Sequence, residues 1–246
     1  MTTRVAVVTG GIGGLGTAIC KTLATGGRTV IAADLGSRQD RIAAFQADTA
    51  GLDIRFLPLD VSDFDACGAF VAQVEAEHGR LDVLVNAAGI TRDATLRKMD
   101  KAHWDAVLSV DLDSVFHMCR HAVPGMADRS FGRIVNISSI NGQTGQFGQT
   151  NYAAAKAGMH GFTMSLAREV ARKGVTVNSI SPGYCETEMV LGIPEHIRTG
   201  IVDSIPVGRV GQPSEIARTV EFLAHDEAGF ITGANIPVNG GLFMSF

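Results

Sequence analysis

The sequence of 246 residues has few cysteines, no concentrated charge of one sign and no long apolar run, and each absence excludes a class of protein. Its cysteines, Cys20, Cys67, Cys119 and Cys185, lie far apart with no CxxC pair, which predicts free core thiols instead of disulfides or zinc ligands. The formal net charge of -4 and the scattered Lys and Arg provide no basic face, so we expect no nucleic-acid partner.

Membrane and metal partners are not indicated either. No apolar run approaches the roughly 20 residues of a spanning helix, and the opening MTTRVAVVTGG predicts a strand instead of a signal peptide, so we expect a cytoplasmic protein. His117 and His121 are one helical turn apart but lack an acidic or third histidine neighbour, which favours a helix face over a metal site.

Short β-branched runs alternate with helix-length segments along the chain, and no proline- or serine-rich stretch divides it. The predicted strands are RVAVVT, RTVIAAD, IRFLPLD, LDVLVNAAG, GRIVNISS, VTVNSISPG and ANIPVNGG. Helix-length segments include 63–78, 101–126, 151–173 and 213–225. Apolar strands that alternate with helices predict an α/β fold: a single Rossmann-type domain with a doubly wound parallel sheet and helices on both faces. Ligands of such sheets bind beyond the carboxyl ends of the strands.

A glycine-rich turn follows the first predicted strand. TGGIGGLG, Thr9 to Gly16, leads directly into a helix, and glycines there let backbone amides approach a pyrophosphate that the helix N-terminus attracts. Asp34 ends the next strand, where a carboxylate accepts hydrogen bonds from an adenosine ribose. The two features together predict a dinucleotide site.

Asp34 also bears on which dinucleotide is bound. A carboxylate beside the ribose 2′-position pairs with a hydroxyl and repels a 2′-phosphate, so Asp34 favours NAD(H) over NADP(H). Arg38 and Arg41 are close enough in sequence to clamp a phosphate, and they keep NADP(H) open.

YAAAK, Tyr152 to Lys156, puts a phenol and an ammonium on one helical face. The nearby cation stabilises a phenolate, which makes Tyr152 a candidate general acid. Ser139, at the end of the predicted strand IVNISS, can donate a hydrogen bond to the same carbonyl oxygen. Ser138 is the weaker candidate because successive strand residues point to opposite faces.

The glycine spacing is TGxxxGxG, at Gly10, Gly14 and Gly16, and it resembles the short-chain dehydrogenase/reductase family. Further matches extend to VNGG near the C-terminus and include Asp60 in LPLDV, the turn NAAG where the family has NNAG, and SPGY followed by Thr187. The resemblance implies a cofactor site formed by Gly10, Gly11, Ile12, Gly14, Leu15, Asp34, Asp60, Val61, Asn86, Ala87, Gly89, Tyr152, Lys156, Pro182, Gly183 and Thr187.

In that family a Ser–Tyr–Lys set reduces a ketone or oxidises a secondary alcohol. The resemblance implies that Ser139 polarises the carbonyl, Tyr152 passes the proton and Lys156 binds the nicotinamide ribose, while the cofactor supplies the hydride.

One candidate catalytic position departs from the family pattern. The family's usual Asn in an N-L-x-S segment, which helps hold a proton-relay water, is Asp111 here, in DLDS. We count Asp111 as catalytic and expect the relay to differ in detail, because an ionised carboxylate cannot donate hydrogen bonds.

Three stretches resemble the acetoacetyl-CoA reductases of polyhydroxybutyrate synthesis, a group within the family: GITRDATLRKM, NISSINGQTGQFGQTNY and VTVNSISPGY. The implied substrate-binding residues are Asp93, Lys98, Ser139, Gln146, Phe147, Gln149 and Tyr184. Glutamines suit the amides of a pantetheine arm, and aromatic side chains suit a short acyl group. The implied substrate is acetoacetyl-CoA or another short 3-ketoacyl-CoA, and the product is an (R)-3-hydroxyacyl-CoA.

Several alternatives stay open. The best-known members of that group favour NADPH, so Asp34 indicates an NADH-preferring variant or a 3-hydroxybutyryl-CoA dehydrogenase that works in the oxidative direction. A 3-oxoacyl-ACP reductase shares the catalytic residues, and Arg92, Arg97 and Lys98 suit an acidic carrier protein. A non-catalytic dinucleotide sensor would be expected to lose Tyr152 or Lys156, and both are present.

Family members usually form homotetramers through two long helices, here 101–126 and 151–173, and the C-terminal segment. The resemblance implies a homotetramer with His117, Met118, His160 and Met164 at its interfaces. The final GLFMSF would then pack on a neighbour, because its apolar side chains are costly to expose. Within the single domain, the cofactor half is expected to span about 1–135 and the catalytic and substrate half about 136–246.

Overall fold

A computed structural model of the chain describes residues 3–244. Its seven strands form one parallel sheet in the order β3-β2-β1-β4-β5-β6-β7. The strands are Val5–Thr9 (β1), Thr29–Asp34 (β2), Ile54–Pro58 (β3), Val83–Asn86 (β4), Gly132–Ile137 (β5), Val175–Pro182 (β6) and Asn235–Val238 (β7). The order reverses beside β1, which opens a crevice at the carboxyl ends of β1 and β4.

The helices connect these strands along the chain. They are Gly14–Thr25 (α1), Gln39–Asp48 (α2), Phe64–His78 (α3), Lys101–Leu108 (α4), Ser114–Asp128 (α5), Asn141–Thr144 (α6), Thr150–Val170 (α7), Glu188–Leu191 (α8), Glu195–Ser204 (α9) and Pro213–Ala224 (α10). A π-helical segment, Ser109–Asp113, joins α4 to α5, and 3-10 turns occupy Ala171–Lys173 and Ala228–Phe230.

Successive strand residues feed two separate cores, one on each face of the sheet. Leu84 of β4 packs in the core that contains Met159 of α7 and residues of α3 and α5. Val85, the next residue, packs in the core that contains Ile19 of α1 and residues of α2 and α10. Every residue of β1, β4, β5 and β6 is buried, as strands covered on both faces must be. The predicted doubly wound α/β fold is confirmed.

Several helix ends follow from local sequence. The Asp63 side chain accepts a hydrogen bond from the Ala66 N–H at 2.9 Å and begins α3, and Gly79 ends it in the left-handed conformation with φ 73°. Pro213 opens α10, where a missing N–H costs no helical bond. These ends agree with the predicted helices 63–78 and 213–225 to within a residue.

The predicted helix 101–126 is interrupted, and the interruption carries a candidate catalytic residue. Ser109–Asp113 forms a π turn, which fits an additional residue into the helical path. Asp111 lies within it and is buried. The apolar spacing of the segment does not signal this turn.

Two side-chain expectations have clear outcomes. All four cysteines are buried and free, as predicted, and burial raises the thiol pKa of Cys67 and Cys119 to about 12. Met118 was expected at a subunit interface, but this expectation is wrong, since its side chain is fully buried in the core under α5.

The two spaced histidines have helix-face contacts. His117 Nδ1 lies 3.0 Å from the Val61 carbonyl oxygen, and His121 packs on the Phe64 ring. Across residues 3–244 no group of three or more His, Cys, Asp or Glu is arranged to hold a metal ion. In the same range no helix is both long and apolar enough to cross a membrane.

Candidate active site

The candidate site lies where the parallel strands end. The sheet register aligns Thr9 with Asn86 and Asn86 with Asn136, so the segments after β1, β4 and β5 emerge at one edge. Ile137 pairs with Ile180, which brings the segment after β6 to the same edge. Thr9 Oγ1 ties two of these segments together, because it accepts hydrogen bonds from the Ala87 and Ala88 amides at 3.1 and 3.2 Å.

The glycine-rich turn is packed so tightly that three of its positions, Gly10, Gly11 and Gly16, leave no room for a side chain. A Cβ on Gly10, whose φ is 65°, would lie 2.8 Å from the Ala87 oxygen. A Cβ on Gly16 would lie 2.1 Å from the Gly10 oxygen. Gly13 precedes α1 and supplies no side-chain cap, so the first N–H groups of the helix remain available to a ligand. The turn therefore fits the pyrophosphate of a dinucleotide.

Other predicted cofactor residues surround this turn. A Cβ on Gly14 would touch the Thr187 methyl at 3.1 Å, so the turn and the start of α8 are in contact. Ile12 is buried in the core, and Leu15 packs against the core while partly exposed. Val61 is also buried, and the Asp60 side chain caps Ser62, with its Oδ1 2.6 Å from Ser62 Oγ.

The side chain of Asn86 points away from the crevice into the protein. Its Nδ2 donates to Asn136 Oδ1 at 2.8 Å, and Asn136 Nδ2 donates to Thr163 Oγ1 at 2.9 Å. Asn86 therefore links β4 to β5 and, through Asn136, to α7. The groups of the NAAG turn that can meet a cofactor are those of its backbone.

Asp34 lies at the end of β2 with its side chain largely buried. Its Oδ1 accepts a hydrogen bond from the Leu35 amide at 2.8 Å and lies 3.8 Å from Arg38 Nη1. Arg41, the second predicted phosphate clamp, is hydrogen-bonded to Glu188 of α8. Both arginines that could bind a 2′-phosphate thus have carboxylate partners in this structure.

Tyr152 and Lys156 both lie in the first two turns of α7, and Lys156 reaches the end of β5. Lys156 Nζ lies 5.5 Å from the centroid of the Tyr152 ring, within reach of electrostatic interaction. Asn151 fixes this part of the helix: its Nδ2 donates to the carbonyl oxygens of Arg92 and His103, at 3.1 and 3.2 Å. Sequence reasoning missed Asn151, although a polar residue directly before the tyrosine is a recognisable signal.

The two serines after β5 have different partners. Ser138 Oγ donates to the Lys156 carbonyl oxygen at 2.9 Å and lies 3.2 Å from His160 Nε2. Ser139 Oγ accepts from the Asn141 amide at 3.1 Å, which leaves its own hydroxyl proton for another acceptor. Ser138 fastens α7 to the sheet, whereas the donor of Ser139 can be directed at a substrate.

Lys156 is buried and forms an ion pair with Asp111. Its Nζ lies 3.2 Å from Asp111 Oδ2 and donates to the Ile137 carbonyl oxygen at 3.1 Å. Burial lowers the Lys156 pKa, but the Asp111 carboxylate and then Tyr152 outweigh it, so the pKa lies above its usual value. Burial raises the pKa of Asp111, and the Lys156 ammonium and the Ile90 amide oppose that rise.

The two predicted substrate stretches are joined by hydrogen bonds. Gln149 Nε2 donates to Asp93 Oδ2 and its Oε1 accepts from Asn141 Nδ2, both at 2.9 Å. The Ala94 amide donates to the Gly148 carbonyl oxygen at 2.9 Å. Gln149 therefore already uses both ends of its amide and shapes the loop around the site.

The remaining predicted substrate residues lie around these loops. Gln146 and Lys98 are exposed, and the Phe147 ring is 87% exposed. Tyr184 follows β6 and is half-buried, and burial raises its pKa, which keeps the phenol neutral. A free, exposed ring beside a polar loop is suited to cover an apolar ligand.

The chain is similar to known reductases over almost its whole length. The model of a family described as enoyl-(acyl carrier protein) reductase matches residues 10–243. An acetoacetyl-CoA reductase of Allochromatium vinosum is 55% identical over 98% of this chain and 99% of its own. An acetoacetyl-CoA reductase of Cupriavidus necator is 51% identical over 99% of this chain and 100% of its own. A 3-oxoacyl-[acyl-carrier-protein] reductase of Haemophilus influenzae is 41% identical over 98% of this chain and 99% of its own.

Replacing Gly16 with Ala is expected to disrupt the glycine-rich turn. The new methyl would meet the Gly10 carbonyl, a backbone group that cannot rotate away, so we expect a loss of about 1–3 kcal/mol in the free energy of unfolding. NADH affinity should fall as well. Urea denaturation and titration of NADH fluorescence measure the two effects.

Gly200→Ala in α9 is the matched control, because a Cβ there meets nothing within 4 Å. Alanine favours a helix by up to about 1 kcal/mol over glycine, so this variant should be as stable as the parent or more so. Equal stability and NADH affinity in the Gly16 variant and the parent would contradict the packing argument.

Proposed function

The chain belongs to the short-chain dehydrogenase/reductase family, and we propose that it is an acetoacetyl-CoA reductase that forms (R)-3-hydroxyacyl-CoA for polyhydroxybutyrate synthesis. It is an oxidoreductase that acts on CH–OH groups and uses a nicotinamide dinucleotide. The observation that carries the proposal is the approach of the Lys156 ammonium to the Tyr152 ring, together with the hydrogen bond from Lys156 to Ile137, two residues before Ser139.

The proposed reaction divides its work among these side chains. When bound, the dinucleotide supplies the hydride. Ser139 donates a hydrogen bond to the ketone oxygen, where negative charge develops in the transition state. Tyr152 gives that oxygen its proton, and the cation of Lys156 stabilises the phenolate left behind.

The substrate proposal depends on the loops around this centre. Phe147 is exposed beside Gln146, so a short acyl chain and a pantetheine amide can find apolar and polar partners in one loop. Similarity to two acetoacetyl-CoA reductases supports a CoA thioester. The second candidate is a 3-oxoacyl-ACP reductase, favoured by the exposed side chains of Arg92, Arg97 and Lys98, which suit an acidic carrier.

The preferred dinucleotide in our proposal is NADH. Asp34 brings a negative charge to the end of β2, where a 2′-phosphate would be repelled. Arg38 and Arg41 are held by Asp34 and Glu188, which lowers their availability to bind that phosphate.

We also propose a homotetramer that works in the cytoplasm. Phe116 on α5 is 48% exposed and Met164 on α7 is 52% exposed, so both of the helices expected at an interface present apolar side chains. The four free thiols suit a reducing compartment. Within the C-terminal GLFMSF, Met244 is exposed, and the last two residues lie outside the described range.

The proposed activity is tested with purified protein, NADH and three substrates: acetoacetyl-CoA, a longer 3-ketoacyl-CoA and a 3-ketoacyl-ACP. We expect the highest kcat/KM with acetoacetyl-CoA, measured as loss of NADH absorbance. Tyr152→Phe should reduce turnover by a factor of about 100 or more, because the proton donor is removed. A higher kcat/KM with the ACP thioester would refute the CoA assignment. Substantial turnover by Tyr152→Phe would refute the role of Tyr152 as the proton donor.

Replacing Asp34 with Ala is expected to shift cofactor preference toward NADPH. Loss of the carboxylate removes the repulsion and frees Arg38, so the ratio of kcat/KM for NADPH to that for NADH should rise about tenfold or more. Asp48→Ala, which removes an exposed carboxylate paired with Lys21 at the end of α2, should leave the ratio unchanged. If both variants give the parent ratio of kcat/KM for NADPH to that for NADH, the proposed role of Asp34 is refuted.

Light scattering after size exclusion tests the assembly. A homotetramer has a mass of about four times the 25.9 kDa chain. Met164→Asp should lower that mass, because a carboxylate buried at an interface without a partner is unfavourable. A parent protein that elutes as a monomer would contradict the proposed assembly.

A further inference from the structure

A buried carboxylate neutralises the cation at the centre of the site. The side chains of Asp111 and Lys156 are 0% and 4% exposed, and their charged atoms are 3.2 Å apart. Within residues 3–244, no other acidic side chain lies within ion-pair distance of Lys156. A water-excluded pair of this kind interacts strongly, since little solvent screens it.

Gly89 packs directly against this pair. A Cβ on Gly89 would lie 2.8 Å from Asp111 Oδ2 and 3.3 Å from Lys156 Nζ, so the backbone of the NAAG turn lies directly on the two charges. The next amide, that of Ile90, donates to Asp111 Oδ1 at 2.8 Å. The carboxylate is thus fixed by one oxygen while the other faces the ammonium.

The ammonium keeps one donor for a ligand. Lys156 has three N–H groups, of which one donates to the Ile137 carbonyl oxygen, and its ion pair with Asp111 can engage a second. The third can bind a ribose hydroxyl. Pairing with Asp111 therefore leaves Lys156 able to bind the ribose, but it changes the electrostatic effect of Lys156 on Tyr152.

Few other charges act on Tyr152 and Lys156. His160 of α7 is linked to Lys156 through Ser138, and burial lowers its pKa, so it is neutral in the alkaline range. The remaining titratable side chains on the segments around the site are Arg92, Asp93, Arg97, Lys98 and Asp100 of the loop before α4, Lys101, His103 and Asp105 of α4, Asp113 of the π turn, Arg168 and Glu169 of α7, and Tyr184 after β6. Of these, His103 pairs with Asp100 and Asp93 with Gln149.

We propose that Asp111 is a positioning residue that neutralises Lys156 and thereby moves the alkaline limit of ketone reduction to higher pH than an unpaired lysine would allow. The proposal rests on the function proposed above, in which Tyr152 must be protonated to act as the acid. An unpaired cation favours phenolate, so Tyr152 would lose its proton at lower pH. Because the Asp111 carboxylate offsets the charge of Lys156, the phenol stays protonated further into the alkaline range.

The substitution Asp111→Asn isolates the charge. An asparagine has nearly the same shape, and its Oδ1 can still accept the Ile90 hydrogen bond, while its Nδ2 takes the place of the oxygen that faced the ammonium. Tyr152 and Lys156 titrate as a coupled pair, and removal of a nearby negative charge makes the first deprotonation of that pair easier. A phenolate at Tyr152 raises the Lys156 pKa and so holds the ammonium proton in place, and we therefore expect the change to appear as earlier phenolate formation.

The chain has only two tyrosines, so phenolate absorbance can report Tyr152 directly. In a Tyr184→Phe background, near-ultraviolet absorbance of the cofactor-free protein is followed against pH with and without Asp111→Asn. The midpoint of phenolate formation should fall by about one pH unit in the Asn variant. An unchanged or higher midpoint overturns the proposal, whatever the substrate of the enzyme is.

The pH profile of kcat for acetoacetyl-CoA reduction gives the second readout. Its alkaline limb should move to lower pH by a similar amount in Asp111→Asn. Asp105→Asn is the matched control, because Asp105 is an exposed carboxylate paired with Lys101 on α4. This control should leave the limb in place, and a shift as large as that of Asp111→Asn would overturn the proposal.

A further variant guards against a folding defect. Asp111→Ala removes the same charge with a smaller side chain, and its phenolate midpoint must move in the same direction as that of Asp111→Asn. Movement in opposite directions would overturn the role of charge. A lowered midpoint without reductase activity in the parent would support the action of Asp111 on Tyr152 and refute the proposed function instead.

Discussion

The side-chain amide of Asn136 connects the elements on which the site depends. It accepts from Asn86 on β4 and donates to Thr163 on α7, all inside the protein. Buried amides that lose such partners cost free energy, so these bonds select one docking position for α7 against β5. Ser138 strengthens the same contact through the Lys156 carbonyl. The distance between the serine after β5 and the tyrosine of α7 is therefore set by bonds that lie behind the site.

In front of this rigid frame, the site is built from loops with looser support. The substrate stretches are linked by a small set of hydrogen bonds, among them those of the Gln149 and Asn151 side-chain amides, and Phe147 extends into solvent. Loops with few buried contacts can change shape or sequence at small cost to the core. The proton chemistry thus sits on fixed elements, while recognition of the thioester belongs to parts of the chain that tolerate variation.

Electrostatic balance is the second theme of the site. Lys156 meets Asp111, Asp34 meets Arg38, and Arg41 meets Glu188. Only the first of these pairs is buried from water on both sides, so it is the one whose interaction is weakly screened. The exposed pair of Arg41 and Glu188 contributes little to stability. It matters because Glu188 fixes the position of the Arg41 side chain.

The sequence by itself determined the parallel sheet, the glycine-rich turn and the Tyr152–Lys156 pair, because strand burial, chain turns and helical spacing are local properties that residue order controls. The inward direction of Asn86, the use of Gln149 within its loop and the buried position of Met118 were decided only by the tertiary structure. So was the π turn that carries Asp111 to Lys156. Each of these depends on which partner a side chain meets across the fold, and sequence distance contains no information about that contact.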